Sequence, residues 1–595
     1  MAGRGNFSVD CGCSAPGQTG DEAQATAQGR VLARTASVCP VCLGPVPAER
    51  VAVGDTVLLV KRCPEHGEFS APVWRGEPAF TGWVRPKIPT ARRGPGTERV
   101  LGCPRDCGLC PDHGQHTCTL LIEVTQRCNL RCPVCFASAG QMGGQMGGQV
   151  GGQAGGAERL ERLERLGGLG GEPDGGPGAG RCEGDARAAR REDDPTLGEL
   201  VARLAVLRPR AGDANIQLSG GEPTLRDDLP QLVTAVRGLG YPFVQLNTNG
   251  LRLAREAGYA ARLAAAGLDS VFLQFDGPDD AATVRLRGLP LHADKVRAVE
   301  ACAAAGLGVV LVCTVARGVN DHCLGDIVRF GLARVPVVRG AHFQPVSFFG
   351  RYEGFGAPDC VDDGPPDGED DGAAGTAGDS AREAARITLP EVMRAVRDQT
   401  GGLIPLAHLH PPGCEHAQCS FSGTFMAHED GRLEPAGGSC CGTGGNGGAT
   451  GGMPPAPIPA ALGAERARAF VRRQWRAPEP TTGPDGTGGG TPAMPRDDFE
   501  RFLARAGRRF TVSGMAFQDA WTLDTERLRG CCIHVAAPDG RMVPFCAWNL
   551  TSAGGTPLHR NGPPTGTGCA GGGEGVEGAG VASGGPVGSN EGEGA

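Results

Sequence analysis

Aromatic side chains are scarce in this 595-residue chain: they make up 5% of it, with three tyrosines and five tryptophans. No apolar run reaches the ~18–20 residues that a membrane-spanning helix needs. The opening stretch, MAGRGNFSVDCGCSAPG, lacks the apolar h-region of a secretory signal. Basic blocks are missing too, and the formal net charge is −8, which argues against nucleic acid as the main partner. A cytoplasmic protein is expected, one whose contact with a membrane, if any, is peripheral.

Two residue types are abundant instead. The chain has 99 glycines and 47 prolines, and glycine alone exceeds twice its average share of ~7%. Such stretches bury too little apolar surface to offset their ordering entropy, so a folded core interrupted by disordered Gly-rich insertions is expected. The 25 cysteines are odd in number and grouped as CxxC, CxxxCxxC and CC. A disulfide framework belongs in a small secreted domain, whereas tight spacing in a chain like this one reads as metal or cluster ligation.

Between 119 and 346, apolar β-branched runs alternate with amphipathic segments of helical length. The predicted strands are 119–126, 215–221, 243–250, 270–277, 308–315 and 340–346. Nearly continuous apolar strands separated by helices indicate an α/β fold with a parallel sheet covered by helices. Six repeats without closure suggest a partial (β/α)6 TIM-like barrel. The expected plan is a disordered tail (1–35), a small metal-binding domain (36–100), a cysteine-rich segment (101–118) and the core (119–355, with a low-complexity insertion at 140–194). A linker (361–383), a Cys-rich C-terminal domain (385–560, with a disordered insertion at 442–497) and a second tail (561–595) follow.

The strongest chemical signal is CNLRCPVC, which places Cys128, Cys132 and Cys135 directly after the first predicted strand. Catalytic residues of β/α barrels gather at the C-terminal ends of strands. Thiolates are the usual ligands of iron–sulfur clusters, and a cube normally takes four. Three leave one iron open, as a catalytic metal site requires. A structural zinc knuckle could share the spacing, but the position after a strand favours the cluster. The other strand ends are polar: Ser219-Gly220-Gly221-Glu222-Pro223, then Asn247-Thr248-Asn249-Gly250, Gln274-Phe275-Asp276-Gly277, Thr314, and finally His342 with Gln344.

These features resemble the radical SAM superfamily, whose members use S-adenosylmethionine (SAM) and a 4Fe-4S cluster to make a 5′-deoxyadenosyl radical. The run CPRDCGLCPDHGQHTCTLLIEVTQRCNLRCPVCFASAG resembles, more narrowly, the tetraether lipid synthase family, also described as radical SAM methyltransferases of class D. IQLSGGEPTLRDDLP, FQPVSFFGRY, FTVSGMAFQDAWTLDTERLRGCCIHV and PDGRMVPFCAWNL are similar to the same family. The likeness covers most of 36–139, 195–353, 385–440 and 508–560.

The resemblance implies that Cys128, Cys132 and Cys135 hold the radical-generating cluster. It also implies a SAM site built from Val134, Gly220, Gly221, Glu222, Asn247, Asn249, Gln274, Asp276, Thr314 and Gln344. In that site the glycines allow close backbone approach, Glu222 pairs with the ammonium of SAM, and the asparagines suit ribose hydroxyls. Two auxiliary 4Fe-4S clusters and a rubredoxin-like mononuclear iron or zinc are implied as well. Cys39, Cys42, Cys63 and His66 are candidates for the single ion. Cys103, Cys107 and Cys110 suit one auxiliary cluster, completed by Cys118 or, failing that, His113 or His116. Four of Cys414, Cys419, Cys531, Cys532 and Cys546 would hold the other. Cys302 and Cys313 read as buried free thiols.

The function expected from this resemblance is carbon–carbon coupling of lipid alkyl chains. Methyl transfer to a pterin-like heterocycle is the second reading, and a non-catalytic iron–sulfur electron carrier the third. Implied partners are SAM, a lipid or pterin-like substrate, and an electron donor such as ferredoxin or flavodoxin.

Overall fold

Alternating burial over residues 30–75 produces four antiparallel strands: β1 (Arg30–Val38), β2 (Pro45–Val53), β3 (Thr56–Cys63) and β4 (Gly67–Arg75). This computed structural model describes residues 29–91, 94, 96–139, 194–352, 382–436, 456–478 and 507–560. The tail expected over 1–35 is too long by one strand. RVLARTASV is poor in large apolar side chains and reads as a tail by composition, yet pairing with β2 orders it. Its Ser37 hydroxyl donates to the Leu523 carbonyl (2.6 Å) and Thr35 to Asp524 (2.8 Å), which ties the ribbon to a C-terminal segment.

Six strands follow: β5 (Thr119–Thr125), β6 (Asn215–Gly220), β7 (Val244–Thr248), β8 (Ser270–Gln274), β9 (Gly308–Val315) and β10 (Val338–Pro345). They lie side by side in sequence order, all parallel, as expected. Every residue of β6 is buried, the pattern of a strand covered on both faces. The helices between them are α1 (Leu197–Ala211), α2 (Leu229–Gly238), α3 (Leu251–Arg255), α4 (Tyr259–Ala265), α5 (Asp280–Arg287), α6 (His292–Ala304) and α7 (Leu324–Leu332). A capping box of Thr196 and Glu199 starts α1. α3 and α4 are separate because Gly258 adopts the left-handed region (φ +73°) between them. Helix α5 was not expected. It carries few apolar residues and is started by the Asp279 side chain, which accepts from Ala281 N.

The same sheet continues on both sides. β11 (Ser420–Ala427), β12 (Leu433–Pro435) and β13 (Arg509–Met515) extend it past β10 in the order β10-β13-β11-β12. β14 (Ile533–Ala536) and β15 (Met542–Pro544) extend it past β5, with β14 parallel to β5. The Cys-rich C-terminal region therefore contributes strands to the core sheet, because residue periodicity reports a strand but not the sheet it joins. Helix Ala460–Trp475 falls inside the insertion expected at 442–497. Its buried Ala460, Ala464, Ala467 and Phe470 recur at helical spacing, a signal masked by the Gly/Pro-rich flanks. Residues 140–193, most of 361–383, and 561–595 lie outside the described residues. Among the described residues no helix is long and apolar enough to cross a membrane.

Candidate active site and metal centres

The loop leaving β5 carries Cys128, Cys132 and Cys135, which share one apolar cluster with Leu130, Leu251, Leu289 and Leu291. Cys132 is buried, while Cys128 and Cys135 are half-buried. Burial, and then the charge of Glu222, pushes the Cys128 thiol up. Burial also raises Cys132, with Arg287 pulling against it. Thiols in this state stay protonated until a bound metal displaces the proton to solvent.

The Gly-Gly-Glu turn after β6 fastens this loop. Gly221 N donates to Thr125 O (2.7 Å) and Glu222 N to Arg127 O (2.8 Å). A Cβ on Gly221 would stand 2.0 Å from Arg127 O, and one on Gly220 (φ +131°) 2.3 Å from Thr125 O. Only glycine allows the two turns to touch. Gly221→Ala is expected to displace the cysteine loop and slow 5′-deoxyadenosine release about a hundredfold, the scale of a misplacement near 1 Å. A wild-type rate at wild-type iron content would refute that role.

Several side chains expected at the SAM site are engaged within the protein. The Glu222 carboxylate, 2% exposed, accepts from Thr224 N and Oγ1, Thr248 Oγ1 and Asn249 N. It clasps the ends of β6 and β7 together. Asp276, fully buried, is held by two 2.8 Å bonds from Arg287 and one from Thr314 N. Arg287 also donates to Thr314 Oγ1 (2.7 Å) and Val134 O (3.2 Å). Asn249 reaches Asn129 of the cysteine loop (2.8 Å). Asn247 meets Gln217 (3.0 Å), and Gln274 accepts from buried Lys295 (3.2 Å). Gln344 is half-buried at the end of β10, and His342 bonds Ser513 (2.9 Å).

Arg287, Lys295, Asn129 and Arg351 were not expected here. Arg351 donates to Cys132 O (2.7 Å) and Ala139 O (3.1 Å), clamping the cysteine loop from outside. The available signal was indirect: a carboxylate such as Asp276 at a buried strand end requires a cation, and Arg287 lies one short helix away.

The remaining thiols sort differently from expectation. Cys39, Cys42, Cys63 and His66 do gather, with every donor atom within 4.8 Å of the others. Cys103, Cys107 and Cys110 influence one another: the bond from Cys103 and then burial push Cys107 up, with Cys110 and Cys531 adding to it. Cys118 does not join them. It faces Cys414 and Cys532, all three sulfurs within 4.8 Å. Nor is His113 aimed at that trio; it meets Cys531 O (2.9 Å) and His534 Nε2 (3.2 Å). The five C-terminal cysteines therefore divide. Cys419, Cys531 and Cys546 stay in mutual electrostatic reach, beside Arg527. The reason is topological: β14 pairs with β5, which carries Cys532 to Cys118. Cys302 and Cys313 are fully buried free thiols.

Against this geometry, the family model described as the radical SAM superfamily matches residues 122–331. The chain carries a radical SAM domain. A second family model, described as the HMPTM N-terminal zinc ribbon domain, matches 31–75, the four-stranded ribbon. The chain is 29% identical over 564 residues to the 7,8-dihydro-6-hydroxymethylpterin dimethyltransferase of Methanocaldococcus jannaschii, covering 87% of this chain and 93% of that one. It is 36% identical over 168 residues to the GTP 3′,8-cyclase of Acidothermus cellulolyticus, spanning 27% of this chain and 44% of the cyclase. Among solved structures, Streptococcus suis SuiB bound to S-adenosylmethionine shares 14% identity over 39% of this chain and 41% of that one, with a TM-score of 0.27. The radical SAM domain implies a 4Fe-4S cluster and SAM. The likeness along nearly a whole relative is to a pterin methyltransferase, so the expected lipid-coupling role gives way to the second reading.

Proposed function

We propose that this protein is a radical SAM methyltransferase acting on a reduced pterin or a heterocycle of that kind. One observation carries the proposal: alignment with a pterin dimethyltransferase over 93% of that relative's length, zinc ribbon included. A match confined to the radical SAM domain would leave the substrate open, as the cyclase match does.

The donor set on the loop after β5 fits an iron–sulfur cube: three thiols on one tight loop, in an apolar setting, with a buried guanidinium beside Cys132. Cys128, Cys132 and Cys135 would hold the cluster, which supplies the electron that splits SAM to a 5′-deoxyadenosyl radical. The protein's part is positional. Gly220 and Gly221 bring the β6 turn against the loop, Glu222 locks the β6 and β7 ends together, and the Asp276–Arg287 pair fixes α5 beneath the cysteines. Leu130, Leu251 and Leu291 keep water from the thiols. Cys103, Cys107 and Cys110 form one auxiliary cluster site in this proposal, and Cys419, Cys531 and Cys546 another.

The test uses anaerobically reconstituted protein, a reductant, SAM deuterated in its methyl group, and 7,8-dihydro-6-hydroxymethylpterin. Labelled methyl groups are expected in the pterin product by mass spectrometry. Release of 5′-deoxyadenosine without label in the pterin, together with coupling of added lipid chains, would instead favour the lipid reading.

A further inference from the structure

We infer that Cys118, Cys414, Cys532 and Glu415 form a separate, buried site for a single thiophilic divalent ion, zinc or ferrous iron. The four residues come from three distant parts of the chain and are at most 8% exposed. Cys118 precedes β5 and Cys532 precedes β14. The parallel pairing of those strands, begun by Cys118 N donating to Cys532 O (2.8 Å), sets the two cysteines side by side. Cys414 and Glu415 enter from the segment ahead of β11. Their carbonyls are fixed from outside, Cys414 O by the Gln115 amide and Glu415 O by the Lys87 ammonium.

Three thiols form a tight group, and the Glu415 carboxylate stands beside two of them. Cys532 Sγ lies 3.3 Å from Cys414 Sγ, and all three sulfurs lie within 4.8 Å of one another without a disulfide. Glu415 Oε2 lies 2.6 Å from Cys414 Sγ and 3.6 Å from Cys532 Sγ. Its Oε1 accepts from Ser420 Oγ, an outer contact that orients a ligating carboxylate. Thiolates about 2.3 Å from a tetrahedral ion sit about 3.8 Å apart, and the three sulfurs have spacing of this order, with Glu415 placed to swing in as the fourth donor. A cube spreads its ligand sulfurs wider. The same tight spacing recurs among the described residues only at the Cys39–Cys42–Cys63–His66 ribbon site.

The charge is managed as well. Three thiolates, one carboxylate and a divalent ion leave a net −2. Arg468, buried on helix Ala460–Trp475, faces Cys118 and donates to Thr117 O (3.0 Å). Ala464 and Ala467 of that helix close the site against water. Buried thiolates beside a buried carboxylate require a cation. With an ion bound, the same group becomes a cross-link between the start of the radical SAM domain, the segment before β11, and the C-terminal strands.

The test is metal and sulfide counting on the full-length protein, purified and reconstituted anaerobically. Wild type, Cys414→Ser, Cys532→Ser and Glu415→Gln are compared, with Cys42→Ser as the control for the ribbon site. Each serine variant is expected to lose one zinc or iron, with sulfide content unchanged. Glu415→Gln, which keeps the shape of the side chain, is expected to weaken retention against a chelator at least tenfold. In cobalt-substituted protein, the thiolate-to-cobalt absorption should fall in Cys414→Ser and change its splitting in Glu415→Gln. Unchanged metal content in Cys414→Ser and Cys532→Ser would overturn the site. Loss of about four irons together with sulfide would overturn its single-ion character. A Cys414–Cys532 disulfide in the anaerobic protein, found by mass spectrometry, would overturn it as well. If a serine variant fails to fold, the chelator and cobalt results for Glu415→Gln still decide.

Discussion

Cys132→Ala is expected to reduce 5′-deoxyadenosine formation to background and to remove about four irons, while metal at the Cys39 ribbon is retained. Cys132 is the most buried of the three loop thiols, and it is the one Arg287 faces. A cube on this loop has only three protein thiolates, so losing one leaves it two. No neighbouring side chain can substitute, because the apolar partners are leucines. The measurement is nucleoside release from reduced protein, with iron and sulfide counted on the same sample. The assignment fails if the variant keeps its iron and still cleaves SAM at the parental rate. Cys302→Ala, at a buried thiol on α6 remote from this chemistry, should cleave SAM normally and serves as the comparison.

The second large effect concerns the Asp276–Arg287 pair. Asp276 has no exposed surface and the Arg287 side chain has 6%, so Arg287→Met strands a carboxylate in the interior. Breaking a buried pair in this way costs about 3–5 kcal/mol, which for a domain of this size lowers the unfolding temperature by roughly 6–20 °C. Replacing both partners, Asp276→Leu with Arg287→Met, should recover most of that loss, since no charge is then left alone. A second readout separates packing from tuning. The guanidinium lowers the Cys132 pKa, so its removal should move the cluster's reduction potential to more negative values in an EPR titration. Arg287→Lys keeps the charge but loses the two-pronged contact, and should fall between. An unchanged melting curve for Arg287→Met would contradict the pairing.

The sequence made some of this architecture legible and concealed the rest for identifiable reasons. The six parallel strands were readable because runs such as SVFLQF and GVVLVCTV are apolar on both faces, and only a covered parallel sheet uses such runs. The CNLRCPVC loop was readable because its ligands are local. Strand β1 and helix Ala460–Trp475 were missed, since both owe their order to partners and are flanked by Gly- or Pro-rich stretches. The grouping of Cys118 with Cys414 and Cys532 was beyond reach, because spacing carries no information about residues more than a hundred positions apart. Glu222 was identified at its strand end, but its contacts within the protein were not legible. Its carboxylate is spent on backbone and hydroxyl donors of the neighbouring strand ends. The substrate was not legible in the sequence for another reason. The motifs compared are those of radical generation, and they do not report the walls of the pocket that selects the substrate.

The placement of β14 alongside β5 has a consequence for how the chain is made. β5 opens the central sheet, but its outer neighbour lies some four hundred residues later in the chain. Until β14 has been made, one flank of the growing sheet remains a row of unpaired peptide groups, the template on which foreign strands assemble. Molecules lacking β14 and β15 thus carry a sticky border that the folded sheet conceals.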